Sequence, residues 1–383
     1  MSFLRSISAY LSTGFLTTAS LFAYDNREKR ISELEKQMLE VGSYHPGGVF
    51  GSRFASASPI NSDWQIAVDA LLWQAKVGGT EYAYSIATIT DSGAALPLNG
   101  SISEISFDWD WGFRFEVGKQ NVYEECDLIF AYTHYFTSAR DGYRKDLPSG
   151  FLGLTGFLDP ALMAKSHYRL HYQNIDLELG RAYFVSKQLL FRTHVGLKSS
   201  WIDQKQNSHY DFNVKFGDTL SFTSHLKDTC KFWGMGPRIG VHSRWYLCKE
   251  VSLINKLAGA LLYGYYKVED VYNTDESKTI NNEIERSFGN VNLKGSSHHF
   301  SPFTEMLIGI SWNRAFIQDK LMLTINLSYE TLYFARQKET LSGEGAIRKG
   351  NVPTLLNSSR IRFAKKIEDV GFRGVSLSIE VDF

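Results

Sequence analysis

After its first two dozen residues the chain lacks any long apolar run. The longest candidate, Leu257-Ala-Gly-Ala-Leu-Leu-Tyr-Gly-Tyr-Tyr266, is ten residues with two glycines, whereas a spanning helix requires about 20. Beyond that first segment, whose alternative reading is an N-terminal membrane anchor, a helically embedded protein is excluded. Net charge is also lacking, with 41 basic residues against 41 acidic ones, which argues against nucleic acid as a partner. Cysteine is scarce and odd in number: Cys126, Cys230 and Cys248. Cys230 and Cys248 flank one continuous strand candidate, and at about 3.3 Å per residue that holds them beyond disulfide reach. The thiols are left for an intermolecular cross-link or for no role at all.

The compartment is written at the start. Arg5 is the only charge before Asp25, and Leu11 to Phe22 is apolar or small and ends at Ala23. That layout predicts a secretory signal peptide over 1–23. Over 24–43, Ile31, Leu34, Met38 and Val41 at 3-4-3 spacing among charges predict a short periplasmic helix with a coiled-coil seam. Two heptads are too short to stand alone, so this seam is a route to a homo-oligomer. The glycine- and serine-rich 44–62 reads as a linker.

From 63 to 383 the apolar period is two. Ile105, Phe107, Trp109, Trp111, Phe113, Phe115 and Val117 alternate with Ser106, Asp108, Asp110, Gly112, Arg114, Glu116 and Gly118. Leu321 to Glu330 and Ile175 to Gly180 repeat the pattern, and the chain stops on Val375-Ser-Leu-Ser-Ile-Glu-Val-Asp-Phe383. Such strands offer one face to lipid and one to water. Aromatics reach 14% while mean hydropathy is only −0.22, as expected where aromatic girdles flank a half-polar barrel. Short connections near Lys119–Glu125, Ser186–Gln188, Cys248–Glu250 and Asn313–Lys320 alternate with long polar ones near Thr137–Lys165, Asp203–Thr229, Glu269–His299 and Arg336–Pro353. That asymmetry predicts periplasmic turns below and extracellular loops above. The expected fold is all-β: a closed antiparallel transmembrane barrel of about twelve strands, within ten to fourteen, after a short N-terminal helix. Trp64–Ile89 reads as one bulged strand or as a hairpin about Gly78-Gly79.

No motif points to catalysis, a metal or a cofactor. Gly234-Met-Gly-Pro-Arg-Ile-Gly240 has the wrong spacing for a dinucleotide loop and contains Pro237, so its glycines mark bends or close backbone approach. In a strand His167 and His171 stand about 13 Å apart, too far to share a metal. His298-His299 falls in an expected surface loop, and His209 with Asp211 lacks an adjacent nucleophile. The polar faces carry more. Asp108, Asp110, Glu116, Asp176 and Glu178 form one expected lumen wall, with Arg114 in the same row as the first three. Arg192, His194 and Lys198, and Arg238, His242 and Arg244, form another. Opposed charges on separate walls predict a transverse field across an aqueous pore. The other reading is that they pair across a narrow barrel and plug it, a serious prospect at ten strands.

Ala70-Leu-Leu-Trp-Gln-Ala75 with Tyr82-Ala-Tyr84, His194-Val-Gly-Leu-Lys-Ser-Ser-Trp-Ile-Asp-Gln204, Phe232-Trp-Gly-Met-Gly-Pro-Arg-Ile-Gly240 and Ala258-Gly-Ala-Leu-Leu-Tyr-Gly264, with the terminal Phe383 and the N-terminal coiled-coil segment, resemble the Legionella-type major outer membrane protein family. These are pore-forming barrels also found in chlamydia-like bacteria. The resemblance implies porin-like diffusion and surface exposure, including attachment; it assigns no pore residue. The expectation is therefore a non-enzymatic outer-membrane porin for small hydrophilic solutes and ions. The alternative is a surface adhesin or structural anchor without an open pore. Expected partners are outer-membrane lipid and lipopolysaccharide, the barrel-assembly machinery, which would read Phe383, and the solutes themselves.

Overall fold

The computed structural model describes residues 64–86, 89–90, 93–94, 101–123, 126–144, 150–153, 160–186, 188–216, 218–248, 250–280, 283–316, 321–344 and 362–383. The expected signal peptide, N-terminal helix and linker lie outside these residues.

Ten strands close one barrel, the lower bound of the expected range. They are β1 (Trp64–Val77), β2 (Trp109–Tyr123), β3 (Cys126–Arg144), β4 (Met163–Phe184) and β5 (Leu189–Phe216). The others are β6 (Asp218–Tyr246), β7 (Val251–Ile280), β8 (Glu283–Phe316), β9 (Leu321–Glu344) and β10 (Arg362–Asp382). Each pairs antiparallel with its chain neighbours, and β1 pairs with both β2 and β10. The seam is sealed where Trp64 and Phe383 exchange backbone hydrogen bonds of 3.1 and 3.0 Å. A closed sheet leaves no unpaired edge in lipid, the condition for spanning with strands.

Period two explains the wall. Trp111, Phe113, Phe115, Leu177, Leu179, Val195, Leu197, Ile239, Leu257, Ile308, Ile310, Leu327, Leu377 and Ile379 are exposed and face outward. Trp64, Trp245, Phe316 and Phe383 rim the turn end, and Trp201, Trp233, Tyr265 and Tyr333 rim the other. Short connections join the strands at the Phe383 end, such as Tyr123 opposite Cys126 and Phe316 opposite Leu321, while the long extensions of β5 to β8 all stand at the other end, so the Phe383 end is periplasmic.

Three expectations need correction. The stretches expected as long loops at Asp203–Thr229 and Glu269–His299 are mostly paired strand: β5 and β6 pair from Leu189/Trp245 to Phe216/Asp218, and β7 and β8 from Val251/Trp312 to Ile280/Glu283. Their polarity reflects water outside the membrane, not absence of strand. The Ile105–Val117 strand begins only at Trp109; Ile105 and Phe107 are buried at 4% exposure, Phe107 edge-on to Tyr168 at 5.4 Å, so neither faces lipid. Pairing to β1 stops at Gln74/Trp109 because β1 ends at Val77. There Gly79, at φ +65, turns the chain inward, a conformation glycine adopts without strain.

The chain beyond Gly79 caps the barrel from within. Glu81–Ile86 pairs with Ile102–Glu104 on one side and Gly150–Gly153 on the other, and Pro160–Ala161 extends that sheet. Gln206 donates to the Thr80 carbonyl at 3.4 Å, Lys338 donates to that of Gly79, and Tyr210 donates to that of Tyr82. Lys338 points inward because β9 carries a bulge between Phe334 and Lys338.

Deleting Phe383 removes the last rung of the seam and its exposed aromatic. The expected outcome is normal export with loss of heat-modifiable, membrane-inserted protein on gel electrophoresis. Trp111, 69% exposed on the lipid face, gives a second check. Trp111→Arg should destabilise the barrel by roughly 2–4 kcal/mol, read as a lower urea midpoint in lipid vesicles.

Candidate functional site in the barrel lumen

Ten strands enclose little more than side chains, since about eight already fill their own interior. The inward row of each strand therefore meets its counterparts across the axis. At mid-height these rows are charged. Arg114 bridges Asp69 at 3.1 Å and Glu330 at 2.7 Å. Arg192 holds Asp127 through two bonds, Nε to Oδ2 at 2.7 Å and Nη2 to Oδ1 at 2.5 Å, and reaches Glu178 at 3.4 Å. Arg238, its side chain wholly buried, contacts Glu305 at 2.6 Å, Glu178 at 3.1 Å and Asp176 at 3.4 Å. Lys256 lies 3.1 Å from Glu305 and 3.5 Å from Glu178, and Lys198 lies 3.2 Å from Asp176.

Two glycines make room for this layer. A Cβ on Gly180 would come to 2.5 Å of the Arg192 guanidinium, and one on Gly240 to 2.6 Å of the His194 ring. The glycines of the Gly234–Gly240 segment thus mark close approach within β6.

Above the charges lies an aromatic layer. Trp73, Tyr135, Tyr172, Phe334 and Phe372 are fully buried. Tyr172 stacks on Phe372 at 4.9 Å, and Trp73 packs on Phe372 at 5.9 Å and Tyr135 at 5.6 Å. Cations seat on the ring faces where the layers meet: Lys198 stands 4.1 Å over Phe303, and Arg114 5.8 Å over Trp73. Below the charges, a polar cavity of about 160 Å³ is lined by Asp69, Arg114, Glu116, Arg192, His242, Arg244, Asn326 and Glu380.

Most expected pore-lining residues do point inward. Arg114, Glu116, Asp176, Glu178, Arg192, His194, Arg238, His242 and Arg244 all join this layer or its cavity. Asp108 does not: it is exposed, in the stretch that leaves the wall before β2 begins. Asp110 sits higher, half-buried, and accepts a hydrogen bond from Thr137 at 2.5 Å. The expected transverse field is corrected as well, because the opposed charges meet within salt-bridge distance. Asp69, Asp127, Lys256, Glu305 and Glu330 escaped the sequence reading. A signal was available: Glu305 is a lone charge at inward parity beside the exposed Met306, Ile308 and Ile310.

Ligand atoms of Glu178, His194 and His242 lie within 4.8 Å of one another. The Glu178 oxygens already face Arg238, Arg192 and Lys256 at 3.1 to 3.5 Å. Those cations make the spot an ion-pair hub ill suited to a divalent metal.

Removing one member of a buried pair strands the other charge, typically at about 3–5 kcal/mol, whereas apolar replacement of both is far milder. Arg192→Met should lower the urea midpoint strongly, and Arg192→Met with Asp127→Leu should recover most of the loss, measured by tryptophan fluorescence in vesicles.

The sequence model of the family described as Legionella pneumophila major outer membrane protein precursor matches residues 57–383. No curated protein matches the sequence. Among solved structures, the Escherichia coli outer membrane protease OmpT is 8% identical at a TM-score of 0.42, covering 85% of this chain and 98% of that one. The Pseudomonas putida toluene transporter TodX is 8% identical at 0.27, covering 84% and 90%. A Pseudomonas aeruginosa FadL homologue is 8% identical at 0.23, covering 85% and 90%. With TM-scores below 0.5, these likenesses say nothing about what this chain does. The family match spans the whole barrel, so the chain belongs to the Legionella major outer membrane protein family and resides in the bacterial outer membrane.

Proposed function

We propose that this barrel is a surface-display anchor whose lumen is closed at rest. The observation that carries the reading is the stacked obstruction: paired charges at mid-height, five fully buried aromatics above them, and the inward-folded Glu81–Ile86 sheet at the top. Charges held at 2.5 to 3.5 Å by opposite partners are not available to steer a permeating ion. What the protein offers outside is a tall wall. Strands β5 to β8 run 28, 29, 30 and 34 residues, while crossing the membrane takes about 9–11. The excess stands beyond the upper girdle, where it meets other surfaces.

Solute diffusion is the second reading, favoured by the polar cavity of about 160 Å³ below the charged layer. It requires the aromatic layer to part. Neither reading includes catalysis. His209 hydrogen-bonds Asp211 at 2.8 Å, and its other ring nitrogen meets His225 at 2.9 Å where a base would need a hydroxyl.

Planar-bilayer recording on the refolded chain separates the two. The anchor reading expects a silent bilayer for the wild type and conductance steps only for Trp73→Ala with Phe372→Ala, which thins the aromatic layer. Regular stepwise conductance of the unaltered protein at neutral pH would overturn it in favour of the porin.

A further inference from the structure

The outer face of the wall carries an unbalanced cationic group just above the extracellular girdle. In register, Trp201 pairs with Trp233. Four residues further along β5, Lys205 lies directly opposite Arg169 of β4. Two residues up β4 from Arg169, toward the outside, His167 lies directly opposite Arg140 of β3. Side chains of directly opposed residues sit about 4.5–5.5 Å apart, and like charges so placed are destabilising. Arg140 and Arg169 are exposed and Lys205 is half-exposed. Among the described residues none of the three has an acidic partner within salt-bridge distance. The other acids of this wall are engaged or stand at other heights: Glu269 pairs with Lys294 at 3.0 Å, Asp211 with His209 at 2.8 Å, Asp203 lies below Lys205 and opposite Lys231, and Asp275 stands level with Asp211, six residues above Lys205. Partial burial, together with Arg140, Arg169 and Lys205, holds the His167 imidazole below its ordinary range. Its ring N–H is a hydrogen-bond donor among cations.

Height identifies the missing anion. At about 3.3 Å per residue, Lys205 and Arg169 stand some 13 Å along the strand above the Trp201–Trp233 pair. Aromatic girdles mark the edge of the hydrocarbon zone, so the group lies at the level of the outer-leaflet headgroups. Arginine and lysine side by side suit a phosphate, the first as a two-pronged donor and the second as a point charge. We propose that Arg140, His167, Arg169 and Lys205 seat a phosphate of a phosphorylated glycolipid in the outer leaflet, binding it to the outside of the wall. The site rests on the outer-membrane location and is independent of whether the lumen conducts.

The test uses the refolded full barrel and phosphatidylcholine vesicles containing bis-phosphorylated lipid A, with dephosphorylated lipid A in a parallel set. Lipid retained after detergent extraction is counted by native mass spectrometry. The wild type should retain the phosphorylated lipid, and Arg169→Gln with Lys205→Gln should bind it roughly tenfold or more weakly. Lys294→Gln, a cation of the same wall that already has a partner, should bind as the wild type does. Should the double variant fold poorly, Arg140→Gln alone still weakens retention. Equal retention of the dephosphorylated lipid, or unchanged retention by folded Arg169/Lys205 and Arg140 variants, overturns the proposal. Displacement by millimolar inorganic phosphate also overturns it, in favour of a free-phosphate site.

Discussion

Trp64 and Phe383 exchange backbone hydrogen bonds at the periplasmic end of the seam, and with that rung the ten-stranded sheet has no free edge. Closure does two things at once. The backbone of the membrane zone pairs strand to strand, as lipid demands, with the β6–β7 ladder interrupted at Gly236-Pro237. It also sets an interior so narrow that opposite walls touch, and whatever faces inward must pack or pair.

The chain answers with two kinds of filling. Aromatics occupy the upper half, where Tyr172 stacks on Phe372 and Trp73 packs tilted against both. Charges occupy the middle: Glu178 faces Arg192, Arg238 and Lys256 together, and Arg114 with Asp69 and Glu330 forms a second cluster beside them. A buried charge without its partner is expensive, so each member depends on the others. Inside the barrel, cation meets carboxylate at salt-bridge distance. Outside, above the girdle, that pairing fails where Arg169 stands beside Lys205.

Much was legible in advance. Strict alternation from Trp109 to Val117 told the lipid face from the lumen face, because strand side chains have a period of two and lipid admits no charge on one side. The same rule placed Arg114, Glu178, Arg192 and Arg238 inside, and the periplasmic turns followed from their shortness. It failed where alternation outlasted the strand: Ile105 and Phe107 keep the pattern yet lie inside over the rim, because pairing ended at the Gly78-Gly79 turn. It failed again at Asp203–Thr229 and Glu269–His299, since polarity reports water and not the absence of a ladder.

The sequence by itself determined that the chain crosses the outer membrane as strands, which face of each strand is wet, and which end is periplasmic. Those are local properties, set by period and composition. Only the tertiary structure decided that the wet faces meet and pair across the barrel. Arg238 and Glu305 are 67 positions apart, and Arg114 and Glu330 are 216 apart. Their meeting depends on strand number and on closure of the seam, and no local pattern encodes the width of a barrel.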